Sequence, residues 1–157
     1  MENQHRYHLA IKWTGNKGQG TKNYIDYERS HTIQAAGKPI IESSSDPEFR
    51  GDSKKYNPEE LFIASLSSCH MLWYLHLCAE AGVIVVDYSD NALGTLQATV
   101  NGGHFTEVTL NPHVVVSSHS MIDKANELHY MANKLCFIAN SCNFPIFHTP
   151  TCEVAKV

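Results

Sequence analysis

The sequence predicts an α+β fold in which antiparallel β-sheets pack around a long central helix and a second helix. Strand-like segments lie at both ends of the chain, a long capped apolar stretch lies between them, and a second helical pattern follows. The chain has 157 residues, of which 43% are hydrophobic and 18% charged. This length and composition fit one domain with a packed core, covering residues 1–157.

The N-terminal third predicts three strands. Apolar and polar residues alternate from Tyr7 to Trp13 with a period near two, which favours a half-buried strand. A second strand is expected over residues 23–34, and a short third strand opens at Pro39. Residues 43–56 are rich in Ser, Asp, Lys and Gly and indicate a polar loop.

The long helix has the clearest local signals. Asn57 suits an N-cap, Pro58 suits the first helical position, and two glutamates follow in the first turn. No Gly or Pro interrupts the pattern until Gly82, which predicts the end of the helix. Apolar residues occupy most sides of this helix, so we expect it to be buried and central.

The second half of the chain predicts more strands and a shorter helix. Strands are expected over residues 83–86, 92–100 and 105–116, with a hairpin turn at 101–103. A helix is expected over residues 120–135, with Cys136 at or just past its last turn. The proline-containing tail from Phe144 onward predicts a final strand. All sheet pairing is expected to be antiparallel.

Composition excludes several classes of function. The chain has 12 basic and 16 acidic residues, a net charge of −4, and no basic run longer than Lys54–Lys55, so we expect no nucleic-acid partner. The apolar stretch 61–81 is broken by polar residues, which disfavours membrane insertion. The first twenty residues resemble no signal peptide, and five cysteines are an odd number. Both observations favour the reducing cytoplasm.

Metal and cofactor motifs are absent from the sequence. Ten histidines and five cysteines show no C-x-x-C pair, no H-E-x-x-H and no cluster with zinc-like spacing. The sequence also has no G-x-S-x-G elbow, phosphate-binding loop or dinucleotide fingerprint. We therefore expect neither a metal nor a cofactor.

Cys69 is the cysteine whose surroundings favour chemistry. Any cysteine is most simply a buried core residue, and Cys78, Cys142 and Cys152 have no feature that argues otherwise. Cys69 lies mid-helix among small serines, which leave room for a substrate. The helix dipole does not reach that position, so a reactive thiolate needs a cation from another element. Arg29 and Arg50 are the candidates.

Two segments carry a resemblance to a known family. Residues 57–70, NPEELFIASLSSCH, resemble the first cysteine segment of the OsmC/Ohr family, which comprises osmotically inducible protein C and the organic hydroperoxide resistance proteins. Residues 135–141, LCFIANS, are similar to the family's second cysteine segment, with Phe137 where the family often has proline. The predicted order of elements also matches the family over nearly the whole chain.

The resemblance implies a thiol-dependent peroxidase that reduces organic hydroperoxides to alcohols on an intertwined homodimer. By position, Cys69 is similar to the peroxidatic cysteine and Cys136 to the resolving one, so the cycle runs through a Cys69 sulfenic acid and a Cys69–Cys136 disulfide. Glu59 matches the acid of the motif. Arg29 and Arg50 both remain candidates for the activating arginine, with Arg29 ahead. An external dithiol, such as a lipoylated protein, reduces the disulfide.

Helix geometry predicts that the site needs a second chain. Glu59 and Cys69 lie ten residues apart, hence about 15 Å along a helix and roughly 80° around it. One arginine cannot meet both within a straight helix, so we expect Cys69 of one subunit to face Glu59 of its partner. An apolar wall near the thiol is also expected. Its candidates are Trp13, Phe49, Phe62, Trp73 and Phe137.

Two other interpretations stay open at this point. The protein is alternatively a redox sensor or binding protein whose cysteines are oxidised stoichiometrically without turnover. In the third interpretation the thiols only fill the core, and the dimer binds an unrelated ligand.

Overall fold

The computed structural model describes residues 4–156, which divide into two units, residues 4–61 and 62–156. Helix α1 begins in the first unit and continues through the second. The helices are α1 (Pro58–Glu80) and α2 (Ile122–Leu135). The strands are β1 (Ala10–Trp13), β2 (His31–Gln34), β3 (Ile41–Ser43), β4 (Val85–Asp90), β5 (Leu93–Thr99), β6 (Gly102–Leu110), β7 (Pro112–Val116), β8 (Ile146–His148) and β9 (Thr151–Val154). The α+β class is as the sequence predicts.

The first unit contains an antiparallel sheet in the order β1-β2-β3. The second strand is shorter than the sequence predicts and begins at His31, because the residues before it form turns. The Asp26 N–H donates to the Asn23 carbonyl at 3.1 Å, and the Asn23 amide donates to the Asp26 carboxylate at 2.6 Å. Such local side-chain bonds compete with strand pairing.

Both ends of α1 follow the predicted signals. The Asn57 side chain accepts the Glu60 N–H at 2.8 Å, and the Glu60 carboxylate accepts the Asn57 N–H at 3.0 Å, which forms a capping box. At the other end Gly82 adopts a φ of +72°, and the Val83 N–H donates to the Cys78 carbonyl at 2.9 Å. This left-handed glycine closes the helix.

The second unit corrects the expectation of purely antiparallel sheets. Its sheets have the orders β4-β7-β9 and β5-β6-β8. The pairs β4·β7 and β5·β6 are antiparallel, whereas β6·β8 and β7·β9 are parallel. The predicted single tail strand is in fact β8 and β9, which Thr149 and Pro150 separate. Because the tail is divided there, each half joins the edge of a different sheet.

A second predicted strand is also divided. Residues 105–110 form the C-terminal part of β6, residues 112–116 form β7, and Asn111 separates the two strands. The Asn111 N–H donates to the Asp90 carboxylate at 2.7 Å, and its side chain donates to the Asn91 carbonyl at 2.9 Å. These bonds take the place of ladder pairing at Asn111, so the chain changes sheets there.

Helix α1 is buried along one stripe. Four of its residues, each four positions after the last, form what we call the buried stripe: Leu66, His70, Tyr74 and Cys78. Tyr74 and Cys78 pack with Val114, Val116 and the buried face of α2, and Leu66 packs with Val108 and Leu110. The expectation of burial on nearly all sides is wrong for the single chain, since Leu72 is 63% exposed.

By length and composition alone, α1 is apolar enough to cross a membrane. The core helix of a soluble domain meets the same criterion. In the second unit α1 makes the contacts of a core helix, since the buried stripe packs on strands and the Ser67 hydroxyl donates to the Asp90 carboxylate of β4. The absence of a membrane-spanning segment stays a prediction.

Candidate thiol site

The thiols of Cys69 and Cys136 lie beside each other where α1 meets the end of α2. Cys69 is in the middle of α1 and half-buried, whereas Cys136 directly follows α2 and is 1% exposed. The proximity shows in the pKa of Cys136, which the Cys69 side chain helps to raise. The structure therefore brings together one accessible and one buried sulfur, both as free thiols.

Backbone N–H groups of the loop after α2 contact the Cys136 sulfur. Cys136 leaves the helix with an extended ψ of 113°, and its Sγ accepts the Ala139 N–H at 3.4 Å. The Ile138 N–H also points to this sulfur. These two donors lower the pKa of Cys136, but burial and the neighbouring Cys69 raise it by more. Cys136 is therefore a protonated thiol at neutral pH.

An aromatic pair flanks the two thiols. Trp73 follows Cys69 by one helical turn on the same side of α1, and Phe137 directly follows Cys136. The two rings meet edge to face, with centroids 5.6 Å apart. Phe137 is 67% exposed, so this pair offers an accessible apolar surface next to the sulfurs.

The other predicted wall residues have different surroundings. Phe62 stacks on Phe105 at 5.1 Å and tilts against Phe144, which makes it part of the core of the second unit. Trp13 lies in the first unit, where its indole donates to the Glu28 carbonyl at 2.8 Å. Phe49 ends a 3₁₀ turn in that unit and is 48% exposed.

Arg29 is held rigidly within the first unit. Its guanidinium lies 4.1 Å from the ring centroid of Tyr24 and 4.3 Å from that of Tyr27. It also donates to the carbonyls of the same two residues, at 2.8 Å and 2.6 Å. Stacking and hydrogen bonds together fix the position of this cation.

Arg50 and Glu59 also belong to the first unit. Arg50 is exposed and adopts a left-handed φ of 65° after the 3₁₀ turn, and Glu59 is half-buried in the first turn of α1. Within residues 4–61 the ion pairs are Lys17–Glu28 and Lys55–Glu42, so Glu59 is not paired with either arginine there. The roles of Arg29, Arg50 and Glu59 at Cys69 stay predictions.

Comparison with known proteins decides the family. A family model described as OsmC-like protein matches residues 51–150 of this chain. An OsmC-like protein of unknown function from Vibrio cholerae is 31% identical, with a TM-score of 0.84 over 94% of this chain and 100% of that one. The chain belongs to the OsmC-like family.

More distant members of the OsmC-like fold include hydroperoxide resistance proteins. The organic hydroperoxide resistance protein of Elizabethkingia anophelis is 19% identical, with a TM-score of 0.70 over 99% of this chain and 100% of that one. The protein OhrB of Bacillus subtilis is 18% identical, with a TM-score of 0.65 over 94% and 98%. At these identities the likeness shows the fold alone. No curated protein matches the sequence.

The remaining cysteines of the OsmC-like chain lie away from this accessible position. Cys78 is 1% exposed in the buried stripe, and Cys152 on β9 packs against the same cluster. The Cys142 thiol donates to the Ile138 carbonyl at 3.2 Å and packs against the core residues around Leu66. Burial raises the pKa of all three thiols. Cys78 is therefore a core thiol, whereas Cys142 and Cys152 are half-buried, as Cys69 is.

Sequence reasoning missed a histidine cluster in this OsmC-like protein. His70 on α1 and His129 on α2 are each 1% exposed, and His70 Nε2 lies 3.0 Å from His129 Nδ1. The His148 ring lies 5.8 Å and 6.3 Å from these two. The available signal was weak: His129 falls on the predicted apolar face of α2, between Ala125 and Ala132.

The cluster is not arranged as a metal centre. Within residues 4–156 no three His, Cys, Asp or Glu side chains converge as ligands. Burial is the main cause that lowers the pKa of His70 to about 4 and of His129 to about 3, and the nearby His148 lowers both further. Both rings are therefore neutral at physiological pH.

Proposed function

We propose that this OsmC-like protein is a thiol-dependent peroxidase that reduces organic hydroperoxides to alcohols. The observation that carries the proposal is the pairing of a half-exposed Cys69 with a buried Cys136. The accessible Cys69 sulfur can contact the peroxide, and the buried Cys136 sulfur lies next to it. This arrangement supports Cys69 as the peroxidatic and Cys136 as the resolving cysteine.

The proposed cycle balances with these two thiols. The Cys69 thiolate attacks one peroxide oxygen, the S–O bond forms as the O–O bond breaks, and the alkoxide leaves as alcohol after taking a proton. The Cys136 thiol then attacks the Cys69 sulfur and forms the disulfide, while the hydroxyl leaves as water with the Cys136 proton. An external dithiol such as a lipoylated protein restores both thiols by exchange.

The thiolate requires a cation, which we assign to Arg29 ahead of Arg50. The Tyr24 and Tyr27 rings and carbonyls hold the Arg29 guanidinium in one place. A fixed cation stabilises both the thiolate and the charge that develops on the leaving oxygen. Glu59 makes no ion pair with an arginine among residues 4–156, and we assign it to an arginine of a partner.

The functional unit that we propose is an intertwined homodimer. Strand β1 is exposed along its whole length, and Ile11 is 63% exposed. Apolar side chains of the second unit are also bare, among them Leu72 at 63% and Leu93 at 65%. So much exposed apolar surface is typical of a chain that packs against another copy.

The substrate class follows from the aromatic pair at the thiols. Trp73 and Phe137 offer apolar contact to an alkyl or aryl group but nothing to the small polar hydrogen peroxide. The free state of all five cysteines is compatible with a cytoplasmic location. We therefore propose a cytoplasmic enzyme for bulky hydroperoxides.

Turnover tests the proposal. Purified protein is mixed with cumene hydroperoxide and either dihydrolipoamide or dithiothreitol, and peroxide loss is followed. We expect many equivalents to be consumed by the native protein and by Cys78→Ser, and none beyond background by Cys69→Ser. Consumption of a single equivalent would favour the redox sensor, and no thiol loss at all would favour purely structural cysteines.

The dimer is tested separately by sedimentation. We expect the active protein to sediment as a dimer at micromolar concentration. A monomer with full activity would contradict a site shared between subunits.

A further inference from the structure

Helices α1 and α2 share apolar contacts in the core and also make two polar contacts. One pair is Cys69 with Cys136, and the other is His70 with His129. On α1 the two contributing residues are neighbours. On the other side, His129 lies on α2 and Cys136 directly follows its last residue. The seven residues from one to the other rise about 10 Å along the helix axis and bring Cys136 to nearly the same side as His129.

This spacing means that α1 crosses α2. If the two helices ran side by side, two contacts about 10 Å apart along one axis would also be about 10 Å apart along the other. On α1, however, Cys69 and His70 are only about 1.5 Å apart along the axis. Ala132, which lies between the two contact points on α2, is fully buried. At this crossing the His70–His129 hydrogen bond is a directional contact beside the apolar packing of Tyr74 against α2.

The histidine pair is the more deeply buried of the two contacts, since both rings are 1% exposed whereas Cys69 is half-buried. The rings are parallel within 4°, and Tyr74 stacks on His129 with centroids 3.9 Å apart and planes within 9°. The other ring nitrogens, His70 Nδ1 and His129 Nε2, are buried without a partner among the described residues. The only described hydrogen bond of each imidazole is therefore the one to the other imidazole. Separating the two rings would leave His70 Nε2 and His129 Nδ1 buried without a partner as well.

We propose that the His70–His129 hydrogen bond is a positioning contact that fixes the crossing of α1 on α2 and so holds Cys136 within reach of the Cys69 sulfur. This inference rests on the proposed function, in which the two sulfurs form a disulfide. The histidines do not touch the reacting atoms. Their effect is on the effective concentration of one thiol at the other, and thereby on the stability of the disulfide.

A matched pair of substitutions isolates the hydrogen bond. Asparagine places a polar atom near the position of Nδ1, whereas leucine has almost the same shape and cannot form the bond. We therefore compare His129→Asn with His129→Leu. The readout is the equilibrium constant between the Cys69–Cys136 disulfide and reduced dithiothreitol, measured by thiol trapping.

The leucine variant is expected to lower the formation constant of the disulfide about tenfold, equivalent to about 30 mV. The asparagine variant is expected to stay within about threefold of the native protein, since a conservative replacement rescues the bond. The rate of Cys69 alkylation in the reduced protein should stay within about twofold in both, because the thiol itself is unchanged. A native constant in the leucine variant, or equal shifts in both variants, would overturn the proposal.

The second helix provides an independent pair. His70 contributes Nε2 to the bond. Glutamine places a polar atom near the position of Nε2, whereas methionine has a similar length and no such atom. His70→Gln and His70→Met therefore repeat the comparison made with the two His129 variants. If His129→Leu does not fold, this pair decides by the same criterion. If leucine and methionine variants both fail to fold while the amides remain native, the contact only stabilises the fold and the positioning role is refuted.

The equilibrium needs no peroxide, which separates this inference from the proposed function. A native protein that forms the disulfide but does not turn over cumene hydroperoxide would refute the peroxidase and leave the positioning contact standing. A peroxidase whose disulfide is indifferent to all four substitutions would refute the positioning contact alone.

Discussion

Two faces of helix α1 show how surroundings decide what the same side chain does. Cys69 and Cys78 are nine residues apart, which places them on opposite sides of the helix. Cys78 belongs to the buried stripe and is 1% exposed, and burial raises its pKa. Cys69 and Trp73 form the reactive face, where Cys69 is half-buried and has Cys136 beside it. Cys78 also has a thiol nearby, that of Cys152, so the exposure of Cys69 is what distinguishes the two faces.

The largest expected effect comes from removing the partner thiol of the reactive face. In Cys136→Ser the Cys69 sulfenic acid has no neighbour to trap it, so excess cumene hydroperoxide is expected to convert it to sulfinic acid. Intact mass should show two added oxygens, and turnover should stop as the protein accumulates in this irreversibly oxidised form. Cys152→Ser, which changes a thiol next to the buried stripe, should show neither change. An unmodified mass for Cys136→Ser would contradict the assigned role.

The next effect compares the two thiols of α1 directly. Iodoacetamide is expected to modify Cys69 at least about a hundredfold faster than Cys78, because Cys78 reacts only when the core opens. Peptide mass spectrometry of the reduced protein after timed quenching gives both rates in one sample. Equal rates would mean that the helix is not packed along the buried stripe as the structure shows.

The fold was largely predictable where its signals are local. Asn57, Pro58 and Gly82 mark the ends of α1 because caps depend only on neighbouring residues. Cys136 is predicted at the end of α2 because the apolar residues of that helix follow three- and four-residue steps up to Leu135. The parallel partners of β8 and β9 were not predictable, since a short strand takes its partner from tertiary packing.

The site was predictable only in part. The family motifs point to Cys69 and Cys136, and the structure places these two together. Nothing local in the sequence pairs His70 with His129, because they are 59 residues apart and each looks like an isolated residue on an apolar helix face. The choice between Arg29 and Arg50 stays open, because no spacing in the sequence relates either arginine to Cys69.

The buried histidines His70 and His129 should also make the free energy of unfolding depend on pH. The pKa of His70 is lowered from 6.5 to about 4 and that of His129 to about 3, mainly by burial. Between these values and 6.5 the unfolded chain binds protons that the folded chain does not. The free energy of unfolding therefore falls as the pH decreases from about 6.5 to about 4, by up to about 1.4 kcal/mol per pH unit for each histidine. The slope fades as the pH rises through 6.5 and is nearly absent above about pH 7.5, where the unfolded histidines are also neutral.

Urea unfolding between pH 7.5 and 4.5, followed by tryptophan fluorescence, measures this slope. His148 faces both rings and its own pKa is lowered, so it adds to the effect, while Tyr74 stays neutral throughout. His129→Asn should reduce the slope by about one proton. His104→Asn, in the exposed β5–β6 hairpin, should leave it unchanged. An equal slope in both variants would mean that the buried pair does not titrate as described.

The smallest effect concerns the aromatic contact of the reactive face. Phe137 and Tyr130 are both 67% exposed, but only Phe137 packs on Trp73 beside the thiols. Removing the Phe137 ring deletes apolar contact with a cumyl group and none with hydrogen peroxide. We therefore expect Phe137→Ala to lower kcat/KM for cumene hydroperoxide about threefold to tenfold, through about 1 kcal/mol of lost apolar burial. The value for hydrogen peroxide should stay unchanged, and Tyr130→Ala should change neither. Equal losses with both peroxides would instead mean that Phe137 supports the loop of Cys136, and the apolar specificity would then have to come from a surface other than this ring.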